Sequence, residues 1–242
     1  MKRRIILSMF FLASTTPLSA ATYMEVSNSE SGDSHIWIND SYAHFDVVKN
    51  AQQTPAEEPG PGEMLIDIKN KKLYAIDHKS KTLVDMSDFS MPGQPHPVPI
   101  PVKVAFESQG HGPKVAGFAT QQYSVSANGE KCYSALYSKD VVKNKQIVAF
   151  YEAMVKSAPS ATNHANPCEA ADEQIDKIPP EKYGIALKVM DKTGKTIFEV
   201  KKIKTGVNPP SHYLQLPAGY KTMSMMQMMQ QQMQSDMPPP TK

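Results

Sequence analysis

The sequence predicts a mainly β domain of the α+β class: a curved antiparallel sheet, or open half-barrel, with one amphipathic helix packed on its concave face. Three observations carry this. Apolar runs of a few residues recur from Thr22 onward, separated by turn-forming Asn, Asp, Gly and Lys. Only the stretch from about 141 to 157 has helical periodicity. After the first dozen residues, no apolar run approaches the ~20 residues that span a bilayer.

The chain opens with Lys2, Arg3 and Arg4, an apolar run from Ile5 to Leu12, and small, mildly polar residues from Ala13 to Ala21. Charge, a short apolar core and small residues in that order predict a secretory leader over residues 1–21, cut after Ala20 or Ala21. The expected address is the periplasm. The leader also holds three of the 26 basic residues and none of the 24 acidic ones, so the remaining chain carries 23 against 24. A balanced mature chain gives no global reason to expect nucleic acid as a partner. Arg3 and Arg4 are the only arginines, so a mature site built on a bidentate guanidinium clamp is excluded.

From Thr22 to Val48 the chain reads as short strands. Ile36-Trp37-Ile38 is a strand centre, Asn39-Asp40-Ser41 a turn, and Tyr42 to Val48 the return strand. Residues 49–63 read as a loop because Pro55, Pro59 and Pro61 interrupt any regular element. A meander follows: Met64–Ile68, Leu73–Ile76 and Thr82–Val84, with one wet face. Five prolines between Pro92 and Pro101 force extended backbone and predict an exposed strap.

Strand signals resume at Val102 and continue through Val115 to Val125. Asn128-Gly129 is a hairpin turn, since both residues tolerate positive φ, and Cys132 to Tyr137 pairs back. Asp140 reads as the N-cap of the helix, whose apolar positions are Ile147, Val148, Tyr151, Met154 and Val155. Residues 159–180 read as a long loop holding Cys168. Two strands, 184–190 and 195–204, and a segment from His212 to Leu216 complete a set of about nine or ten short strands, which curls more readily than it stays flat.

Cys132 and Cys168 are the only cysteines. In an oxidising compartment such a pair reads as a structural disulfide, and no Cys-x-x-Cys motif suggests a redox role. Seven histidines show no paired ligand spacing, so no zinc site is expected among them. Ser108-Gln109-Gly110-His111-Gly112 lacks a nucleophile elbow and reads as a glycine loop between strands. Glu57-Glu58 and Asp172-Glu173 read as solvent-facing acids rather than a general acid/base pair. No catalytic residue and no cofactor is expected.

The last twenty residues, 223–242, form a Met/Gln-rich tail. Met223, Met225, Met226, Met228 and Met229 are thioether candidates for Cu(I). The same side chains suit an adaptable contact with an apolar partner, and a tail without a role is the third reading.

The strand Ile36-Trp37-Ile38-Asn39-Asp40, the segment Leu73-Tyr74-Ala75-Ile76-Asp77 to Thr82, Val115-Ala116-Gly117-Phe118 through Tyr123 to the Cys132 strand, and Leu216-Pro217-Ala218-Gly219-Tyr220 occur in a telling order. Together, over nearly all of residues 22–222, they resemble an uncharacterised family of secreted bacterial domains in the LolA-like lipoprotein-carrier superfamily. The resemblance implies an open half-barrel with a helical lid and an apolar interior that takes a lipid or a lipoprotein acyl chain. On that architecture Trp37, Phe118, Phe150, Tyr151 and Met154 are the ligand-lining candidates. The expected function is non-catalytic binding of an apolar ligand. Copper handling by the tail, or an envelope-protein partner met through the strap and tail, are the alternatives.

Overall fold

A computed structural model describes residues 20–48, 63–87, 101–157 and 166–235. The expected leader up to residue 19, the linker 49–62, most of the proline strap and residues 236–242 lie outside the described residues.

Among the described residues twelve strands form one curved, open sheet. The first six are β1 (Ala21–Asn28), β2 (Gly32–Ile38), β3 (Tyr42–Val48), β4 (Glu63–Asp67), β5 (Lys72–Asp77) and β6 (Thr82–Asp85). They make one antiparallel meander. The chain then crosses to the far edge and returns through β7 (Val104–Val115), β8 (Phe118–Ala127), β9 (Glu130–Ser138), β10 (Ile185–Asp191) and β11 (Thr196–Val207), which pairs with β1. The last strand, β12 (Lys221–Ser224), lies parallel to β6 at the other edge. Among the described residues it makes the sheet's one parallel pairing.

Turn chemistry sets these registers. Asn28, Asn39, Asp67 and Asp77 each accept backbone N–H bonds two or three residues on, which closes the tight turns of the first meander. Asn128 and Gly129 both sit at positive φ between β8 and β9, as the hairpin reading requires.

The described segments between and after strands form α1 (Lys145–Ser157), α2 (Pro167–Asp176), α3 (Pro180–Tyr183) and α4 (Met225–Ser235). The expected helix is present, but its start differs. Val141–Lys143 is a separate 3-10 turn, Asp140 makes no capping bond, and Asn144 Oδ1 instead accepts from the N–H groups of Gln146 and Ile147. The buried stripe of α1 is Ile147, Phe150, Ala153 and Ser157. Ile147, Phe150 and Ala153 pack with Ile36, Ile38, Ala43, Ile66 and Leu187 in the main core.

The expected loop over 159–180 is corrected from residue 166 on. Asn166 caps α2 by accepting from Cys168 and Glu169 N–H, and Pro167 occupies the first turn, where its missing donor costs nothing. The glycine loop expected at 108–112 is also corrected: it lies inside β7, paired to β8. The segment 212–216 is turn rather than strand. No helix among the described residues is long and apolar enough to cross a membrane.

The Cys132–Cys168 disulfide is formed. It ties the first turn of α2 to β9. Val125, Ala127, Ala171 and Ile175 form a second, smaller core beside it.

Candidate functional site

The β7–β8–β9 end of the sheet carries an open pocket of about 510 Å³. Its lining includes Ser108 and His111 from β7, Gln121 and Tyr123 from β8, Tyr137 from β9, and Tyr183 at the end of α3. Lys139 and Asp140, between β9 and the 3-10 turn, complete one rim.

Strand periodicity explains why these side chains converge. Ser108 and His111 are three apart, so a regular strand would send them to opposite faces. The register shifts between Ser108 and Gly110, and Gly110 has φ of 96°. With that bulge, Ser108 stands opposite Tyr123 and His111 opposite Gln121, two apart on one face of β8. Tyr137 pairs with Gln121 from the other side and joins the same face. Gln121 Nε2 donates to Ser108 Oγ at 2.7 Å, which closes the edge strand over the pocket wall.

One wall is aromatic. Phe106 stacks on Tyr123 with centroids 4.4 Å apart, Tyr137 meets both edge-on, and Tyr183 covers Phe106 and Tyr123 at 4.6 and 5.4 Å. The rim is polar. Asp140 is paired with Lys143 at 2.7 Å, whereas Lys139 and His111 have no partner among the described residues. A ring wall beside an unpaired ammonium and imidazole can hold an apolar body and an acidic head together.

Behind Tyr137 lies a layer of half-buried phenols, with two exposed acids of α2 at its edge. Tyr133 bonds Asp172, and Tyr151 Oη donates to Asp176 at 3.4 Å. Burial pushes the phenols of Tyr133, Tyr137 and Tyr151 well above their ordinary value. Burial likewise raises both carboxyls, with the neighbouring Asp176 charge adding to the effect on Asp172. Asp172, read from sequence as solvent-facing, is exposed on α2, where its carboxylate still reaches Tyr133. Among the described residues Ser108 Oγ accepts from Gln121 Nε2 and from the Gly110 N–H.

The residues expected to line a cavity are dispersed. Phe150 is buried against Phe45 at 5.5 Å, and Phe118 is half-buried beside the same core. Tyr151 turns to Asp176, and Met154 is 40 % exposed. Trp37 lies on the opposite sheet face, because it alternates with the core residues Ile36 and Ile38. Of the tail methionines, Met223 is in β12 and Met225, Met226, Met228 and Met229 are in α4, where Met226 and Met229 are exposed. Among the described residues no group of three or more His, Cys, Asp or Glu is arranged to hold a metal.

The pocket residues missed in the sequence are Tyr123, Tyr137, Lys139 and Tyr183. Gly110 inside an otherwise strand-like run was the available signal for a bulge that gathers side chains on one face.

No protein-family model matches the sequence, and no curated protein matches it. Among solved structures the chain is similar to a crystal structure of MucB, with 12 % identity and a TM-score of 0.38 over 83 % of this chain and 58 % of that one. It is also similar to a chain in the complex structure of Pseudomonas aeruginosa MucA/MucB, with 12 % identity and a TM-score of 0.37 over 82 % and 56 %. The chain thus spans under two thirds of the length of either. These values transfer no ligand or activity to it.

Proposed function

We propose that this chain is a non-catalytic binding protein of the bacterial envelope, working in the periplasm, that takes a small amphiphile in the β7–β8–β9 pocket. The carrying observation is the bulge at Gly110, which turns His111 onto the face of Tyr123 and Tyr137, where Lys139 and Tyr183 complete a pocket whose His111 and Lys139 have no partner among the described residues. The apolar body of the ligand lies on the rings, and an acidic head meets Lys139. This moves the apolar-ligand reading away from the face under α1, where Ile147, Phe150 and Ala153 fill the space. The compartment rests on the basic–apolar–small order of the first twenty residues and on the formed disulfide.

Anilinonaphthalene sulfonate, a flat aromatic anion, is the test probe. The mature protein is expected to bind it saturably with one-to-one stoichiometry. Lys139→Glu and Tyr183→Ala should each weaken binding about tenfold, the scale of one lost charged hydrogen bond or ring contact. Equal binding by wild type and both variants would refute this placement.

A further inference from the structure

The sheet face opposite α1 has its own small core. Leu65, Tyr74, Ile76 and Leu83 are buried there, with Tyr42 and Tyr220 against them. Its cover is the irregular segment 208–220 that joins β11 to β12. Two tyrosines fasten that segment. Tyr213 stacks on the His44 ring with centroids 4.0 Å apart and planes 17° apart, and it bonds Asp46. The Tyr220 hydroxyl lies 2.7 Å from His78 Nδ1. One carboxylate links both anchors: Glu63 Oε2 is 3.2 Å from His44 Nε2 and 2.8 Å from His78 Nε2. The next residue after Tyr220 is Lys221, the first of β12, whose N–H donates to Lys81 O at 3.0 Å.

β12 is otherwise held by its pairing to β6 and by α4, which follows it and also touches β6. It is four residues long, three of them exposed, and it adds in parallel to β6. Short parallel pairing is weak by itself. We propose that segment 208–220 is an acid-released latch, which seats β12 on the edge of β6 at neutral pH and frees that edge for backbone pairing as pH falls.

The mechanism is proton uptake at one nitrogen. His44 is 2 % exposed, and its Nε2 proton is donated to Glu63. Its Nδ1 is buried and has no hydrogen-bond partner among the described residues. A second proton must go to Nδ1, where it would be an unanswered N–H carrying charge in a dry site. Lifting Tyr213 off the ring opens Nδ1 to water and removes that penalty. The charged and titratable groups around His44 are Glu63 from β4, Asp46 from its own strand, and His212 and Tyr213 from the latch. Burial holds the imidazole below its ordinary value of 6.5, and the His212 charge assists. Glu63 and Asp46 oppose them without prevailing. A depressed folded value means the closed form has its full advantage above about pH 6.5 and loses it as pH falls below. Glu63 acts in the same sense lower down: burial raises it, the bonds and charges of His78 and His44 outweigh that, and its contribution disappears once the carboxylate protonates.

Trp37, the only tryptophan, has its ring centroid 6.2 Å from that of Tyr213 and so reports the latch. The test is hydrogen exchange of the full mature chain at about pH 7.5 and about pH 5, corrected for intrinsic rates, with Trp37 emission read in parallel. Amides of 208–224 are expected to exchange at least about tenfold faster at the lower pH, while β1–β3 stay protected. His44→Gln keeps a donor for Glu63 but does not titrate, and should stay closed at both. Equal protection of wild type at both pH values, or opening of His44→Gln in step with wild type, would overturn the latch. Should His44→Gln not fold, Tyr213→Ala decides. Its Trp37 emission must match the acid form of wild type already at neutral pH, and neutral-type emission would overturn the proposal.

Discussion

Removing the disulfide gives the most quantitative prediction. Cys132 and Cys168 are 36 residues apart, so the bond closes a loop of 37 residues counting both ends. On the chain-entropy account, opening a loop of that length costs about 3.8 kcal/mol at 25 °C, because the unfolded chain regains the conformations the link denied it. For a domain of this size each kcal/mol corresponds to about 2–4 °C of melting temperature, so replacing both cysteines by Ala should lower Tm by about 8–15 °C. The loss should also have a place. α2 holds on to the sheet through Ala171 and Ile175 against Val125 and Ala127, a small core for a ten-residue helix. In the Cys132→Ala/Cys168→Ala protein, α2 amides should exchange before those of β1–β3. Calorimetry with exchange mass spectrometry reads both. A double variant melting within about 2 °C of wild type would refute the loop-closure reasoning.

Three further outcomes are expected. Phe150→Ala should cost about 3–5 kcal/mol in denaturant melts, because it empties a buried site against Phe45, whereas exposed Met154→Ala should stay within about 0.5 kcal/mol. A large loss at Met154 would contradict the orientation of α1. Asp176→Asn keeps an acceptor for Tyr151 and removes a charge that is exposed but partly desolvated. Since the folded carboxyl is raised, the ionised form burdens the fold as pH rises, so the variant should melt higher than wild type at neutral pH, with the gain shrinking toward the ordinary carboxyl range near 3.8. A gain independent of pH would count against that cause. Gly110→Val should straighten or strain the bulge at its positive φ and weaken probe binding in the pocket while leaving the main core intact, which titration and thermal melts together would separate.

Much of the sheet is legible because its short strands alternate against water. Tyr42–Val48 is read with its true ends, and Asn128-Gly129 marks its hairpin through backbone preference alone. The helix start is misread because Asp140 and Asn144 are both plausible caps, and only the second lies where helical N–H groups reach its side chain. α2 escapes periodicity because its ten residues carry mostly Ala and acids. The Asn166-Pro167 pair, a cap followed by a first-turn proline, is the local signal it offered. Of the expected stripe, Ile147 is in the core and Val148 and Tyr151 pack against it, but Phe150 and Ala153 take its centre while Met154 is exposed. The pocket is hardest to foresee. Its residues come from three strands, a connecting segment and a one-turn helix, and they share a face only because one extra residue in β7 reverses its alternation.

In the proposed complex the ligand sits on the Tyr123–Tyr137–Tyr183 wall with its head at Lys139. Two-dimensional NMR of the mature protein, titrated with anilinonaphthalene sulfonate, tests that most directly. Shifts gathered on residues 108–111, 121–123, 137–140 and 183, moving together to one saturation point, are the predicted result. Shifts centred on Met154 and α1, or on the methionines of α4, with the pocket residues unmoved, would contradict it.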